Sequence, residues 1–412
     1  VSKLDTGNVY WLSTAPQQEL RSMAKMQKIR LGMIGGGEGA FIGAVHRNAF
    51  GLDGQYDLVC GAFSRDPSNN ESTADSLGVE HSRTYASWED MLEKEAALPE
   101  QQRMQVVSIV TPNHLHVPIS VASIKAGFHV FCEKPAGVGL GEVKDLQDLL
   151  HSTDRLYGLA HTYLGYPMVW QARHMVQSGM LGNIRKVFVE YPQGWLSANE
   201  ETHNKQAKWR TDPSLAGGSG CMGDIGTHAF GLAEFVLDDA ITALCGQLYT
   251  HIEDRQLDDD GAALIKTKKG ATGVLIASQV CAGEENALKI KVYGDKGGLE
   301  WHQMEPNSVV YRPIGQPYQV FRAGLGQPGL CDEAVNRCRI PGGHPEGYLE
   351  AMANLYNDFA TAVRSESDQT SSKASGVPGI NSGLRGMAFI DAMLASSDSE
   401  TKWETVSPVG TE

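Results

Sequence analysis

The sequence predicts an N-terminal α/β domain on a parallel sheet, followed by an α+β domain on an open, mostly antiparallel sheet. Three observations carry that prediction. An apolar run at 28–35 ends in a glycine-rich turn, Gly35-Gly36-Gly37-Glu38-Gly39-Ala40. Apolar runs and helix-spaced segments then alternate as far as residue 155, which is the rhythm of βαβ units. Beyond 155, strand-like runs are separated by tight turns such as Lys268-Lys269-Gly270 and Gly294-Asp295-Lys296-Gly297-Gly298, as antiparallel neighbours require.

Residues 1–27 fit no element and read as an N-terminal arm or leader outside the fold. The first strand is 28–35, and 41–50 is a helix with Phe41, Ile42, Val45 and Ala49 on one face. A second strand covers 56–63, and a short helix lies at 74–77. The third strand, 106–110, is closed by Thr111-Pro112-Asn113, because Pro112 has no N–H for the ladder. A helix at 119–126 is capped by Gly127, and 128–132 is the fourth strand. Right-handed crossovers align the strand ends, so the glycine turn, 111–116 and 133–135 line one crevice. The first domain is thus 28–155 and the second 156–412. In the second, 158–163 reads as a crossing strand and 168–178 as a helix stopped by Gly179. Strands follow at 186–191, 242–249, 261–267, 273–281 and 289–293. Residues 365–382 read as a loop, and the last helix, 383–396, is expected to pack back on the first domain.

A net charge of −14, without a long basic run, argues against a nucleic-acid partner. No apolar run approaches the ~20 residues of a membrane span. The seven cysteines are odd in number, irregularly spaced and lack a Cys-x-x-Cys pair, which points to reduced thiols in a cytoplasmic protein.

The candidate site residues follow from the crevice. Small residues in the glycine turn let the backbone approach a pyrophosphate at a helix N-terminus. Gly35, Gly37, Gly39, Ala40, Phe41 and Ile42 are the phosphate candidates, with Ala40 or Gly43 as the third small residue of the motif. Ser64 and Arg65 stand where a dinucleotide domain often places an acid for the ribose, and Asp66 comes late, which tilts the reading towards NADP. Thr111, Pro112, Asn113, His116, Glu133 and Lys134 complete the cofactor candidates. His114 and His116 have no carboxylate or cysteine at metal-ligand spacing, so no metal is expected. Lys134 lies beside the expected nicotinamide, and an X-Pro bond follows it. Asp224 and His228, four apart, share a helix face if Asp224 begins a helix; the bland alternatives are an N-cap and a core histidine. A histidine suits general base work, and a carboxylate can orient it or hold substrate. A loop with Trp195, His203, Asn204, Gln206, Lys208, Trp209 and Arg210 offers flat rings and donors suited to a pyranose or cyclitol, or else a subunit contact.

Together, 35–40, Thr111-Pro112-Asn113-His114, Glu133-Lys134-Pro135, Gly223-Asp224-Ile225-Gly226-Thr227-His228 and 294–298 resemble the Gfo/Idh/MocA oxidoreductases, over about residues 28 to 405. The resemblance implies an N-terminal Rossmann domain, NAD(P) as cofactor, and a sugar, inositol or related polyol as substrate. It implies a second domain whose open sheet face joins subunits into a homodimer or homotetramer. Position by position, it makes Lys134, Asp224 and His228 the catalytic group and contacts to the substrate; Tyr163, with Trp209 and Arg210 of the aromatic loop, are further candidate substrate contacts. Two departures stand out: extra residues, 39–42, before Gly43, and Ser64 in place of the usual acid. The first leaves the phosphate contacts open and the second leaves NAD against NADP open. Two rivals are an NAD-dependent glycosidase of the same fold and a non-catalytic cofactor-binding sensor.

Overall fold

The structure, a computed structural model, describes residues 27–199, 205–366 and 376–408; the side chains of 205, 206, 208 and 366 are outside the description. The expected arm therefore lies outside the described residues except for Gln27, as do His203, Asn204 and the side chains of Gln206 and Lys208.

The first sheet has five parallel strands in the order β2-β1-β3-β4-β5. They are β1 (Ile29–Gly35), β2 (Tyr56–Ala62), β3 (Val106–Val110), β4 (His129–Cys132) and β5 (Tyr157–Leu159). Every residue of β3 and β4 is buried, as a sheet covered on both faces demands. The covering helices are α1 (Phe41–Leu52), α2 (Pro67–Leu77), α3 (Trp88–Ala97), α4 (His116–Lys125) and α5 (Leu140–His151). This is the expected Rossmann-type sheet, with two corrections. The segment expected to cross between domains as a strand ends early, as β5, and Thr162–Gly165 is a 3-10 turn. Helices α3 and α5 are additional. In α3, Glu95 is fully buried and breaks the apolar period; it receives Arg83 Nη2 at 2.6 Å, the Tyr85 hydroxyl at 2.8 Å and the Met104 N–H at 2.9 Å.

The second sheet has nine strands in the order β13-β12-β11-β10-β6-β9-β8-β7-β14. These are β6 (Ile184–Pro192), β7 (Ile241–Tyr249), β8 (Asp260–Thr267), β9 (Thr272–Ser278), β10 (Lys289–Gly294), β11 (Gly297–His302), β12 (Ser308–Pro313), β13 (Gln319–Arg322) and β14 (Trp403–Thr405). All its pairings are antiparallel except β6 with β9. Its helices are α6 (Pro167–Gln177), α7 (Lys205–Arg210), α8 (Pro213–Ala216), α9 (Thr227–Leu237), α10 (Asp332–Val335), α11 (Tyr348–Glu366) and α12 (Ile380–Asp398). Helices α6 and α9 cover one face. The other presents Phe188, Leu264, Ile276 and Tyr293, which the strand register places together, at 36–50% exposure.

Two C-terminal helices join the sheets. Helix α12 packs on β7 of the second sheet and on α5 and β5 of the first. Helix α11, absent from the sequence reading, packs on α1. Its Tyr356 stacks on Phe131 of β4 at a 4.2 Å centroid separation. No described helix is long and apolar enough to cross a membrane.

Candidate active site

The glycine turn leads from β1 onto the N-terminus of α1. Gly35, Gly36 and Gly39 have φ of +85°, +76° and +83°, a left-handed region that glycine enters without a steric cost. A Cβ at Gly37 would lie 2.3 Å from Asn69 Oδ1 and 3.0 Å from the Phe63 carbonyl oxygen, so the turn is pressed against the end of β2. A Cβ at Gly43 would lie 2.3 Å from Gly36 Cα, so Gly43 carries the close helix-to-turn contact. Ala40 is the N-cap of α1 and provides no side-chain cap, and the first turn has no acidic residue. Space is open around Gly39, and Phe41 is 68% exposed. The leading N–H groups of α1 and its positive dipole end are therefore available to an anion. A 610 Å³ concavity beside the turn is lined by Gly39, Ala40, Phe41 and Arg47, with Ser72 and Thr73 of α2 opposite.

The other strand ends close the crevice. At the end of β2, Ser64 is half-buried, Arg65 is exposed, and Asp66 is spent as the N-cap of α2, accepting from the Asn69 N–H at 3.2 Å. At the end of β3, Thr111 Oγ1 is buried without a hydrogen-bond partner, an unspent polar group facing no described acceptor or donor. Asn113 donates from Nδ2 to the Ala216 carbonyl at 3.4 Å, tying this edge to the segment before Asp224. His116 lies with its ring nitrogens 2.7 Å from the Pro135 and 2.9 Å from the Thr111 carbonyl oxygens. Burial lowers its basicity. It therefore braces two strand ends and turns away from solvent.

Beyond β4, the Lys134–Pro135 bond is cis. The Glu133 carboxylate accepts the Lys134 N–H at 3.0 Å and lies 2.9 Å from His46 Nε2 of α1. His46 Nδ1 is 2.6 Å from the Tyr356 hydroxyl, which is 2.9 Å from Ser108 Oγ. Burial works to raise the Glu133 carboxyl, but the bond and charge of His46, with Lys134, hold it below its ordinary range.

Lys134 Nζ donates to Asp224 Oδ1 at 2.6 Å and to the Asp224 carbonyl at 3.0 Å. Asp224 Oδ2 accepts Gln279 Nε2 at 2.9 Å and Arg210 Nε at 3.2 Å. Burial would raise this carboxyl, but Lys134 and Arg210 overcome it and hold Asp224 well below the usual carboxylate range. The expected helix start at Asp224 is corrected: Met222–Gly226 is a π turn running into α9, a local widening that often marks functional sites. Asp258 holds that turn, accepting Gly220 N–H at 2.7 Å and Met222 N–H at 2.8 Å. His228, in the first turn of α9, is buried beside His161 and Tyr163, at centroid separations of 5.5 and 4.8 Å. Burial, then the charge of Lys134, pushes His228 well below an ordinary histidine and His161 down to about 4. Both rings are neutral at pH 7.

A polar wall faces this group. The Tyr163 and Tyr191 hydroxyls are hydrogen-bonded. Asn286 Nδ2 donates to Tyr163 at 3.0 Å, and Tyr191 donates to Asn286 Oδ1 at 2.6 Å. Arg210 stacks its guanidinium 4.2 Å over the Trp209 ring. Lys134, Asp224, His228, Tyr163 and Arg210 thus converge from distant parts of the chain. Gln279, Tyr191, Asn286 and His161 join them without having been singled out in the sequence, where they carry no local signature.

Two family models match the chain. One, an oxidoreductase family with an NAD-binding Rossmann fold, covers residues 29–161. The other, the GFO/IDH/MocA C-terminal domain, covers residues 169–300. An uncharacterized oxidoreductase, YfiI, of Bacillus subtilis (strain 168) is 31% identical, across 91% of this chain and 96% of the relative. An inositol dehydrogenase homolog from Azotobacter vinelandii, solved with NAD+, is 36% identical with a TM-score of 0.88, across 92% of this chain and 97% of that one. The same homolog solved with NADH and myo-inositol is 35% identical with a TM-score of 0.86, across 92% and 98%. The chain therefore belongs to the Gfo/Idh/MocA oxidoreductases.

Proposed function

We propose that this chain is an NAD(P)-dependent dehydrogenase that interconverts a secondary alcohol and a ketone on a sugar, inositol or related polyol. The observation that carries the reading is the convergence of Lys134 Nζ, the charge-paired Asp224 and a neutral His228 at the C-terminal edge of the parallel sheet. The residues present fit a dinucleotide. The glycine turn and the uncapped start of α1 suit its pyrophosphate, and the unspent Thr111 Oγ1 offers a contact to the bound cofactor. Arg65, exposed beside Ser64, leaves room for a 2′-phosphate, and we place cofactor choice on this pair.

When bound, the nicotinamide supplies the hydride acceptor or donor. The chain's residues manage the proton. Lys134 Nζ is placed to donate to the reacting oxygen, and His228, held neutral, has a ring nitrogen to receive its proton. Asp224 is too weak a base to take that proton; its part is to fix Lys134, while Arg210 and Gln279 fix Asp224 in turn. The Tyr163–Tyr191–Asn286 wall and the Trp209 ring suit the hydroxyls and the flat face of a ring polyol. Such a proton-transfer set is superfluous to a sensor.

The division at 155/156 belongs to this reading: a cofactor unit before it, a substrate and assembly unit after it. All seven cysteines are free, in keeping with a reducing, cytoplasmic setting. The partly apolar sheet face supports a homo-oligomer, which belongs to the same reading. The test is a screen of cyclitols and pyranoses with both cofactors, read at the absorbance of reduced nicotinamide. Net reduction with at least one polyol is expected. Tight cofactor binding without net reduction across the screen would overturn the dehydrogenase in favour of a sensor or a glycosidase.

A further inference from the structure

Away from the cofactor crevice, the segment before α10 lies against α6. Gln171 of α6 accepts the Cys331 N–H at 2.8 Å and donates to the Gly329 carbonyl at 3.2 Å, which fixes the two segments together. On this frame, the ligand atoms of His174, Cys331 and Glu333 all lie within 4.8 Å of one another. The three come from sequence positions too far apart for a spacing rule to detect, which is why no metal was expected from the sequence.

We propose that His174, Cys331 and Glu333 form a zinc site that clasps α6 to the start of α10. The donor set is one imidazole, one thiol and one carboxylate, three of the ligand types zinc takes, and it leaves a fourth position for water. The thiol and the imidazole disfavour magnesium and calcium, which choose oxygen. Around a tetrahedral zinc with bonds of about 2.0–2.3 Å, neighbouring ligand atoms sit roughly 3.5 Å apart. The remaining closure of about 1 Å is within reach of the His174 and Glu333 side chains, which are both exposed and mobile about several torsions. The His174 imidazole has no hydrogen bond to a described residue, so it is free to ligate. It stands in the last turn of α6, where the helix dipole favours a cation. Arg337, which donates to the Glu333 carbonyl at 3.0 Å, is already paired with Asp358. Zinc takes a cysteine as its thiolate, so binding displaces the thiol proton and affinity should grow with pH.

The test uses the full chain, stripped by a chelator and titrated with zinc against a chromophoric competitor. One tight site per chain is expected, weakened by about tenfold or more in His174→Gln, Cys331→Ser and Glu333→Gln, a loss of roughly 1.4 kcal/mol or more. The exposed His344→Gln should bind as the parent does. Zinc should also raise the Tm of the parent, and raise it less in the three variants. Equal affinity in parent and variants, or no stoichiometric binding, overturns the site. Should Cys331→Ser fail to fold, cobalt substitution of the unaltered protein decides: a thiolate-to-cobalt charge-transfer band supports the site, and its absence overturns it.

Discussion

Lys134 is the residue on which the chemistry turns. Lys134→Ala removes a donor to the reacting oxygen but leaves the glycine turn untouched. Turnover should fall by at least ~100-fold, the usual loss for a general acid or base, while cofactor affinity stays near the parent value. Parent-like turnover in this variant would reduce Glu-Lys-Pro to a strand terminator. The paired histidines carry a pH signature. The His161 value of about 4 lies below an unfolded value near 6.5. Between the two, the unfolded chain holds a proton that the folded chain does not. Stability is therefore whole above pH ~6.5 and lost as pH falls towards 4, with His228 acting in the same direction. Asp224, depressed by its partners, acts separately and only in stronger acid. His161→Gln should lose about 2 kcal/mol less than the parent between pH 7 and pH 5, measured by urea unfolding. Parallel losses in both proteins would show that His161 titrates normally.

Elements divide by how their burial is built. The strands of the first sheet were legible because β3 and β4 are buried throughout and apolar but for Ser108 and His129. Helices α3 and α11 were not, because each buries polar groups on its inner face. Glu95 does so in α3, and in α11 Asn354 donates to the Gly165 and Arg337 carbonyls. These contacts are non-local and leave no periodic trace. The site divides the same way. Lys134, Asp224 and His228 sit in short motifs, whereas Gln279 follows the end of β9 and is recognisable only once that strand lies beside the π turn. The contact of α1 with the glycine turn gives a prediction at this scale. Gly43→Ala puts a methyl into the Gly36 backbone, which has no side chain to yield. It should destabilise by about 1–3 kcal/mol and weaken cofactor binding, visible as a lower Tm and a higher Kd. An unchanged Tm and Kd would mean that α1 shifts freely on the turn.

At the scale of the whole molecule, the open face of the second sheet predicts assembly. Phe188, Leu264, Ile276 and Tyr293 form an apolar surface that a second subunit would cover. Ile276→Asp with Phe188→Asp should shift a dimer or tetramer towards monomer in light scattering, without unfolding the chain. A monomeric parent at working concentration would show that this face is free. The buried contact between Tyr356 and the first sheet has a consequence for how the molecule is born. His46 and Ser108 leave the ribosome early, and the hydroxyl that satisfies them comes 310 and 248 residues later. At 5–20 residues per second, that is roughly 10–60 s of translation during which the nascent first sheet has unmet polar groups at its centre. A message cut short before α11 would yield a fragment with every strand of the cofactor fold and no means of sealing it. Such a fragment should be digested by protease far faster than the full chain, and should depend on chaperones while it waits.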